Sequence, residues 1–329
     1  MLYPFKLDFA RGRVLQIGMD EASFLAASFL DERILTPATR GAWTPVRAFL
    51  DSAAAAAGTR LPLHFIFHTG HVGSTLVSRL LDETGSVLPL REPLPLRTLA
   101  DARDAVSGAM PGAPPCSREE WNRLLEAFLC LWRRGFAKTG AVIIKATSSA
   151  ARLAPALLAA APGAQALYLN LRAEPWLATL LAGENSPIDL RGHAPERLRR
   201  LAAQGFARLP AIERLSPGEL AALSWLAETT TQGSVLSGYA GRVLALDFEE
   251  FLADVPGHLQ AILGHFGLRA EPAFLARVVQ SPVLTRYSKA PEHPYDPALR
   301  AAVLQDSRRR HRDEILRGLR LLETLRAAG

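Results

Sequence analysis

Residues 63–85 restrict the fold more strongly than any other stretch of the sequence. They contain an apolar run of strand length, then a loop with two glycines and then a helical pattern. The run Leu63–Phe67 leads into a loop that contains Gly70 and Gly73. The segment Ser74–Glu83 then places leucines at helical intervals up to Gly85, a residue typical of a helix C-terminus. The sequence therefore predicts a buried strand, a tight loop and a helix in direct succession.

The loop between this strand and this helix is suited to binding a phosphate group. Its glycines allow backbone N–H groups to turn inward, and the N-terminus of the helix adds a partial positive charge. Ser74 and Thr75 follow Gly73 directly, so their hydroxyl groups can donate hydrogen bonds to the same anion. The alternative is a strand-to-helix turn that is capped by Ser74 and binds no ligand.

Four further runs of strand length alternate with helical patterns. The strand-like runs are Ser86–Leu90, Ala141–Lys145, Ala166–Leu171 and Arg242–Asp247. The helical patterns are Arg118–Phe136, Leu153–Ala161, Pro256–Phe266 and an arginine-rich helix or pair of helices over Pro297–Arg326. Strands that alternate with helices form βαβ units and a parallel sheet. The predicted fold class is therefore α/β, with three layers around a mostly parallel sheet.

The chain shows one change of character along its length. Residues 1–60 read as mixed helix and loop, with one amphipathic helix around Phe24–Leu30, and we interpret them as a helical cap packed on the main domain. Residues 61–329 form that domain, without an internal repeat or a separating linker. The Gly- and Pro-rich stretch Asp101–Pro115 and the polar stretch Glu184–Gly192 are predicted to be loops or lids.

The composition argues against several classes of protein. Lys and Arg outnumber Asp and Glu by 38 to 32, which suits an anionic small molecule, and the aromatic content of 7% does not favour a nucleic-acid partner. Cys116 and Cys130 form no CxxC pair, and the eight histidines show no zinc-ligand spacing. A signal-peptide pattern and an apolar run of about 18 residues are both absent, so we expect a cytoplasmic protein that spans no membrane.

Charged and polar side chains follow the predicted strands at the ends where ligands bind in open α/β sheets. His71, Glu92, Lys145 and Arg172 all stand at such positions. A charge at the end of a buried strand needs a partner, which is either an internal carboxylate or a ligand phosphate. The convergence of these four residues favours a ligand site, although Glu92 would also suit a simple pair with Arg91.

The glycine loop differs from that of ordinary ATP and GTP hydrolases. A Walker A loop reads GxxxxGK[ST], whereas the spacing after Gly70 is shorter here and no lysine precedes Ser74. The stretch Val72-Gly73-Ser74-Thr75-Leu76 instead resembles the phosphosulfate-binding loop of the sulfotransferase family, with His71 in the position of the family's basic residue. It is similar in particular to a divergent bacterial branch, in which a loop of the form FIFHxxxxxSTL is followed by an acidic Glu-Pro element.

The resemblance covers roughly residues 61–329, in elements that keep the order of the family. These elements are Leu90-Arg91-Glu92-Pro93 after the second strand, Lys145-Ala146-Thr147-Ser148 after the third, Leu171-Arg172-Ala173-Glu174-Pro175 (similar to an Arg-Asp-Pro element), Leu246–Leu252 (similar to a Tyr-Glu-Asp-Leu segment) and the basic stretch Arg286-Tyr287-Ser288-Lys289.

The resemblance implies a P-loop-like nucleotide-binding topology and transfer of a sulfuryl group from 3′-phosphoadenosine 5′-phosphosulfate (PAPS), without a metal, to a hydroxyl or amine of a small-molecule or peptide acceptor. Glu92 would be the base for the acceptor, and His71 or Lys145 would stabilise the leaving phosphate oxygen. The implied cofactor-binding residues are Gly70, His71, Val72, Gly73, Ser74 and Thr75 at the phosphosulfate, and Arg172, Thr179, Arg286, Ser288 and Lys289 at the 3′-phosphate side.

Two other functions remain open in the sequence. One is an ATP-dependent phosphotransferase of P-loop-like fold, for which Asp247 is the strand-end acid available to Mg²⁺. The other is a nucleotide-binding module without catalytic activity, because His71 replaces the usual lysine or arginine.

Overall fold

A computed structural model of the chain describes residues 1–56, 60–108, 113–183, 186–269 and 271–327. The strands are β1 (Leu2–Asp8), β2 (Arg13–Gly18), β3 (Gly41–Pro45), β4 (Leu63–His68), β5 (Val87–Arg91), β6 (Ala141–Lys145), β7 (Ala166–Asn170) and β8 (Val243–Asp247). The helices are α1 (Glu21–Ala26), α2 (Val46–Ala54), α3 (Ser74–Asp82), α4 (Leu94–Val106), α5 (Arg118–Trp132), α6 (Ala154–Ala160), α7 (Ala173–Leu181), α8 (Ser186–Ala203), α9 (Pro217–Gly238), α10 (Phe248–Ala253), α11 (Val255–His265), α12 (Pro272–Val278), α13 (Pro297–Arg310) and α14 (Arg312–Ala327).

The five strands from β4 to β8 form one parallel sheet in the order β5-β6-β4-β7-β8. Side chains of the central strand β4 point alternately to its two faces, because successive residues of a strand face opposite sides. Phe65 and Phe67 join the core that includes α4, α5 and α6, whereas Ile66 joins the core that includes α3, α7 and α9. The sheet therefore lies between two helical layers, which confirms the predicted three-layer α/β fold.

The glycine loop joins the central strand β4 to α3, as predicted. This succession of strand, loop and helix has the connectivity of a P-loop-like unit. The predicted strands and the helices α5, α6 and α11 are confirmed within a few residues. None of the described helices is both long and apolar enough to cross a membrane.

The N-terminal segment contains strands where the sequence favoured helix and loop. β1, β2 and β3 form an antiparallel sheet, and Tyr3, Phe5 and Leu7 of β1 are buried on one face of it. This period of two residues is the strand signal that the helical interpretation missed. The predicted helix around Phe24–Leu30 is limited to α1, and the division into a cap and a main domain stays an interpretation, since Tyr3 and Phe5 share a core with β5.

Helices occupy part of both predicted lids. Residues 101–106 of the first belong to α4 and residues 107–108 and 113–115 form turns and irregular structure, while residues 186–192 of the second belong to α8. Residues 109–112 and 184–185 lie outside the described part of the chain. The prediction of a loop was wrong for residues 186–192, because the apolar positions Leu190, Ala194 and Leu201 of α8 are widely spaced among polar residues. These three side chains are buried in the core, which stabilises the helix through packing.

Candidate functional site

A cavity of about 280 Å³ lies at the carboxyl ends of the central strands. The loop after β4, the residues after β5 and β6, and the helices α4, α7, α8 and α9 all contribute to its walls. Phe29 from the N-terminal segment and Lys289 from the segment after α12 complete it. Four of the residues that the sequence predicted for the site line this cavity: Gly70, His71, Glu92 and Lys289.

The glycine loop has a strained backbone that packing holds in place. His71 adopts a φ of 55°, in the left-handed region that few non-glycine residues occupy, and Gly70 and Gly73 adopt 91° and 67°. The indole N–H of Trp176 donates a hydrogen bond to the carbonyl of Gly70 over 2.7 Å. A side chain at Gly73 would overlap the ring of Phe248, so glycine is required there for both its φ and its size.

The loop brings Ser74 and Thr75 to the N-terminus of α3, where the sequence placed them. Both are buried, and the hydroxyl of Thr75 has no hydrogen-bond partner among the described residues. A buried hydroxyl without a partner costs free energy, which an anion bound at the helix N-terminus would recover. Val72 is buried in the core, so its contribution to an anion site would come from its backbone N–H.

Glu92 and Lys145 form a buried ion pair between two adjacent strands. Lys145 is fully buried at the end of β6, and Glu92, directly after β5, is 9% exposed. Their side chains are paired, and the backbone N–H of Glu92 donates to the carbonyl of Lys145 over 2.6 Å. Glu92 has a φ of 55°, and its second carboxylate oxygen lies 3.4 Å from a guanidinium nitrogen of Arg97.

The pair keeps a carboxylate ionised beside the cavity. Burial alone would raise the pKa of Glu92, but the charge of Lys145 and its hydrogen bond lower that pKa to about 2. Burial lowers the pKa of Lys145, and the nearby carboxylate opposes this effect. At pH 7, therefore, Glu92 is an anion that can accept a proton.

Two histidines near the loop are neutral at pH 7. Burial, together with the charge of Lys145, lowers the pKa of His68 to about 3, and its Nδ1 accepts a hydrogen bond from the N–H of Gly70 over 3.1 Å. This bond places the ring proton on Nε2, which is buried without a partner among the described residues. His71 is exposed to solvent, yet many protein atoms surround its ring, and this crowding and the charge of Lys289 lower its pKa to about 4.

The segment that carries Lys289 is held against α3. Nε of Arg79 donates to the carbonyl of Ser288 over 2.7 Å, and Nη2 of the same arginine donates to Oγ of Ser28 over 2.7 Å. These bonds bring Lys289 to the cavity, where burial lowers its pKa and the charge of Glu92 opposes that shift. The structure thus places Lys289 beside His71 and Glu92, while Ser288 contacts α3 through its backbone.

Of the predicted cofactor residues, only Gly70, His71 and Lys289 line the cavity. The remaining ones include Arg172, Thr179 and Arg286. Arg172 is exposed at the N-terminus of α7 and makes no ion pair with any described residue. The hydroxyl of Thr179 donates to the carbonyl of Pro175 within the same helix over 2.7 Å. Arg286 is exposed and lies 3.4 Å from the carbonyl of Pro291. Their roles at the 3′-phosphate stay predictions.

Asp247, the candidate magnesium ligand of the phosphotransferase alternative, has a structural role in the fold. Its carboxylate accepts a hydrogen bond from the N–H of Glu249 over 2.8 Å and so caps α10. Within the part of the chain that the structure describes, no group of three or more His, Cys, Asp or Glu is arranged to hold a metal ion.

The sequence reasoning missed most of the cavity wall that α8 forms. Asp189, His193 and Arg197 line the cavity from this helix, and Arg97 lines it from α4. The three residues of α8 are separated by four positions each, a spacing that places side chains on one face of a helix. Of these three residues, only Asp189 lies in the stretch interpreted as a lid, residues 184–192.

No protein-family model and no curated protein matches the sequence. Solved structures that are similar to the chain include a sulfotransferase domain from the curacin biosynthetic pathway, with 15% identity over 77% of this chain and 98% of that one, at a TM-score of 0.44. They also include a sulfotransferase from Alicyclobacillus acidocaldarius, with 14% identity over 82% and 96% of the two chains and a TM-score of 0.38. A mouse sulfotransferase complexed with PAP shows 11% identity over 85% and 92%, with a TM-score of 0.37. The chain is thus similar to sulfotransferases, at identities that leave reaction and substrate to be argued from the site.

Proposed function

We propose that the protein is a sulfotransferase that moves a sulfuryl group from PAPS to a hydroxyl or amine of a small-molecule or peptide acceptor. The observation that carries the proposal is the buried pair of Glu92 and Lys145, which adjoins the same cavity as the glycine loop at the N-terminus of α3. An ionised base and an anion-binding loop on one cavity are the two groups that sulfuryl transfer to a hydroxyl requires.

The donor would bind along the glycine loop. Backbone N–H groups from His71 to Thr75 and the unpartnered hydroxyl of Thr75 suit the oxygens of the 5′-phosphosulfate. Arg172 follows β7, the strand next to β4, and its exposed guanidinium is available to the 3′-phosphate. Thr179 would have to exchange its bond within α7 for one to the ligand.

The transfer step needs a base on the acceptor and a cation at the leaving group. Glu92 accepts the proton of the acceptor as the new S–O bond forms, the bond between sulfur and the phosphate oxygen breaks, and that oxygen leaves with the electron pair as part of adenosine 3′,5′-bisphosphate (PAP). Lys145 is the cation that we assign to the leaving oxygen, because crowding and the charge of Lys289 lower the pKa of His71 and favour its neutral form in the free protein. A shift of Lys145 toward that oxygen would also make Glu92 more basic, since Lys145 holds the pKa of this carboxyl low.

The test is transfer of ³⁵S from labelled PAPS to a panel of phenols, alcohols and amines, with the wild-type protein and the Glu92→Gln variant. We expect wild-type transfer and a loss of about 10²–10⁴-fold in the variant, because general base catalysis contributes about that much. Binding of PAP should change little, which isothermal titration would show. Equal rates in both proteins would contradict the role of Glu92, and ATP-dependent labelling of the acceptors would favour a phosphotransferase.

A further inference from the structure

Arg197 is a buried arginine with hydrogen-bond donors that no described residue accepts. It lies on α8, lines the cavity and is 8% exposed. Nε and Nη1 are fully buried, and neither donates a hydrogen bond to any residue within the described ranges. Burying donors of a charged group without acceptors costs several times the value of an ordinary hydrogen bond, so a ligand acceptor is the expected compensation.

The nearest carboxylate does not satisfy these donors. Glu228 of α9 is fully buried, and both of its oxygens already accept hydrogen bonds from Arg200, over 2.8 and 3.1 Å. Nε of Arg197 lies 3.6 Å from one of these oxygens, which is an ion-pair distance but too long for a good hydrogen bond. Glu228 therefore holds the guanidinium in position by charge without a good hydrogen bond, and Arg197 lines the cavity.

The other groups around Arg197 also suit an oxyanion. His193 and Ser224 line the same cavity and can donate hydrogen bonds, and Lys289 adds a second positive charge. Of the acidic residues on the cavity, Glu92 is already paired with Lys145 and Arg97. The other, Asp189, lies two helical turns before Arg197 and is exposed to solvent.

We propose that Arg197 binds a carboxylate of the acceptor, so that the substrates are hydroxy or amino acids whose nucleophilic group points to Glu92. The inference rests on the proposed function and adds the class of acceptor to it. A guanidinium matches the two oxygens of a carboxylate in planar geometry, and the cavity of about 280 Å³ suits a small molecule. The phosphosulfate has its own binding elements in the glycine loop and α3, whereas Arg197 belongs to α8.

The experiment uses pairs of probes that differ only in charge. Binding of benzoate and benzamide to the wild-type protein is measured by isothermal titration, with and without PAP, and 4-hydroxybenzoate is compared with its methyl ester as an acceptor of ³⁵S from PAPS. We expect the acids to bind roughly 10- to 100-fold more tightly than their neutral counterparts, as the value of charged hydrogen bonds implies. Arg197→Gln should abolish this preference, and Arg197→Lys should restore part of it.

The control is Arg199→Gln, on the same helix, which removes the same charge at a residue that lines a different cavity. It should leave the preference for acids intact. Thermal unfolding of each variant shows that it is folded, and Ser224→Ala probes the same wall without removing a charge.

Equal binding of benzoate and benzamide, or no binding of either, would overturn the inference. So would an Arg197→Gln variant that loses PAP affinity, since this result assigns Arg197 to the donor. Benzoate binding without transfer would contradict the proposed function alone.

Discussion

At the scale of single residues, one buried ion pair links the stability of the fold to the chemistry that we propose. Arg91 and Lys145 are in register on β5 and β6, so Glu92, the next residue, comes to the side chain of Lys145 at the sheet edge. The sequence showed that both residues stand at strand ends, but it could not show that β5 and β6 are neighbours. This adjacency depends on the strand order and therefore on the whole fold.

Removing one partner of this pair should cost more than removing both. We expect Lys145→Met to lower the free energy of unfolding by about 3–5 kcal/mol, because it removes the buried hydrogen-bonded partner of the Glu92 carboxylate and leaves only the half-exposed Arg97, at 3.4 Å, and the nearby Lys289 to offset its charge. The double variant Lys145→Met/Glu92→Gln should regain most of that loss, since both charges are gone. Chemical denaturation of the wild type, the single variants Lys145→Met and Glu92→Gln, and the double variant measures the coupling, and strictly additive effects would show that the two residues do not depend on each other.

His68 should make the protein less stable in moderate acid. Its pKa in the folded protein is about 3, well below the usual value of about 6.5, so the unfolded chain takes up the proton first as the pH falls. The stabilisation is present above pH ~6.5 and is lost progressively towards pH ~3, by roughly 2 kcal/mol between pH 7 and 4.5 for this one residue. His68→Asn, which can still accept the N–H of Gly70, should lose less stability than the wild type as the pH falls. The control His293→Asn replaces an exposed histidine and should follow the pH profile of the wild type. Identical pH profiles for wild type and His68→Asn would contradict the assignment.

At the scale of elements, the strand–loop–helix unit was the best predicted part of the site. Its apolar run, glycines and helical spacing are all local, and local patterns survive without knowledge of the fold. The alternation that marks β1 was overlooked, and residues 186–192 of α8 were interpreted as a loop, because it is tertiary packing of a few apolar side chains that stabilises this helix. No role was predicted for His193 or Arg197, so most of the cavity wall formed by α8 was missed.

Gly73 offers a direct test of the loop, with Gly85 as its matched control. Both glycines have positive φ, 67° and 71°, so alanine carries a similar backbone penalty of about 1 kcal/mol at either position. Only at Gly73 would the added methyl group overlap the ring of Phe248, since nothing lies within 4 Å at Gly85. Gly73→Ala should therefore lose roughly 1–3 kcal/mol more in thermal or chemical unfolding, as overpacking usually costs. Adding Phe248→Ala should relieve the extra loss in the Gly73→Ala background, and a failure to do so would place the conflict elsewhere.

At the scale of the whole molecule, the site is assembled from segments that are far apart in the chain. Phe29, Glu92, Arg197 and Lys289 come from the N-terminal segment, the sheet edge, α8 and the segment after α12, and all four line one cavity. The resemblance to sulfotransferases led to Glu92 and Lys289 because both lie in motifs. It could not lead to Phe29 or Arg197, whose positions depend on how the N-terminal segment and α8 pack on the sheet.

The nucleotide itself should report whether Arg172 acts at the 3′-phosphate. PAP carries this group and AMP lacks it, so PAP at ~100-fold over its Kd should stabilise the fold by about 2.7 kcal/mol, and AMP at the same concentration should do markedly less. Arg172 is exposed at the N-terminus of α7 and pairs with no described carboxylate, so Arg172→Gln should not disturb the free protein. In that variant the thermal shift with PAP should fall to the level seen with AMP.

The exposed Arg118 of α5, far from the glycine loop in sequence, provides the control, and Arg118→Gln should respond to PAP as the wild type does. Equal shifts with PAP and AMP in the wild-type protein would show that the 3′-phosphate is not recognised, and a larger response to ATP with Mg²⁺ than to PAP would favour the phosphotransferase.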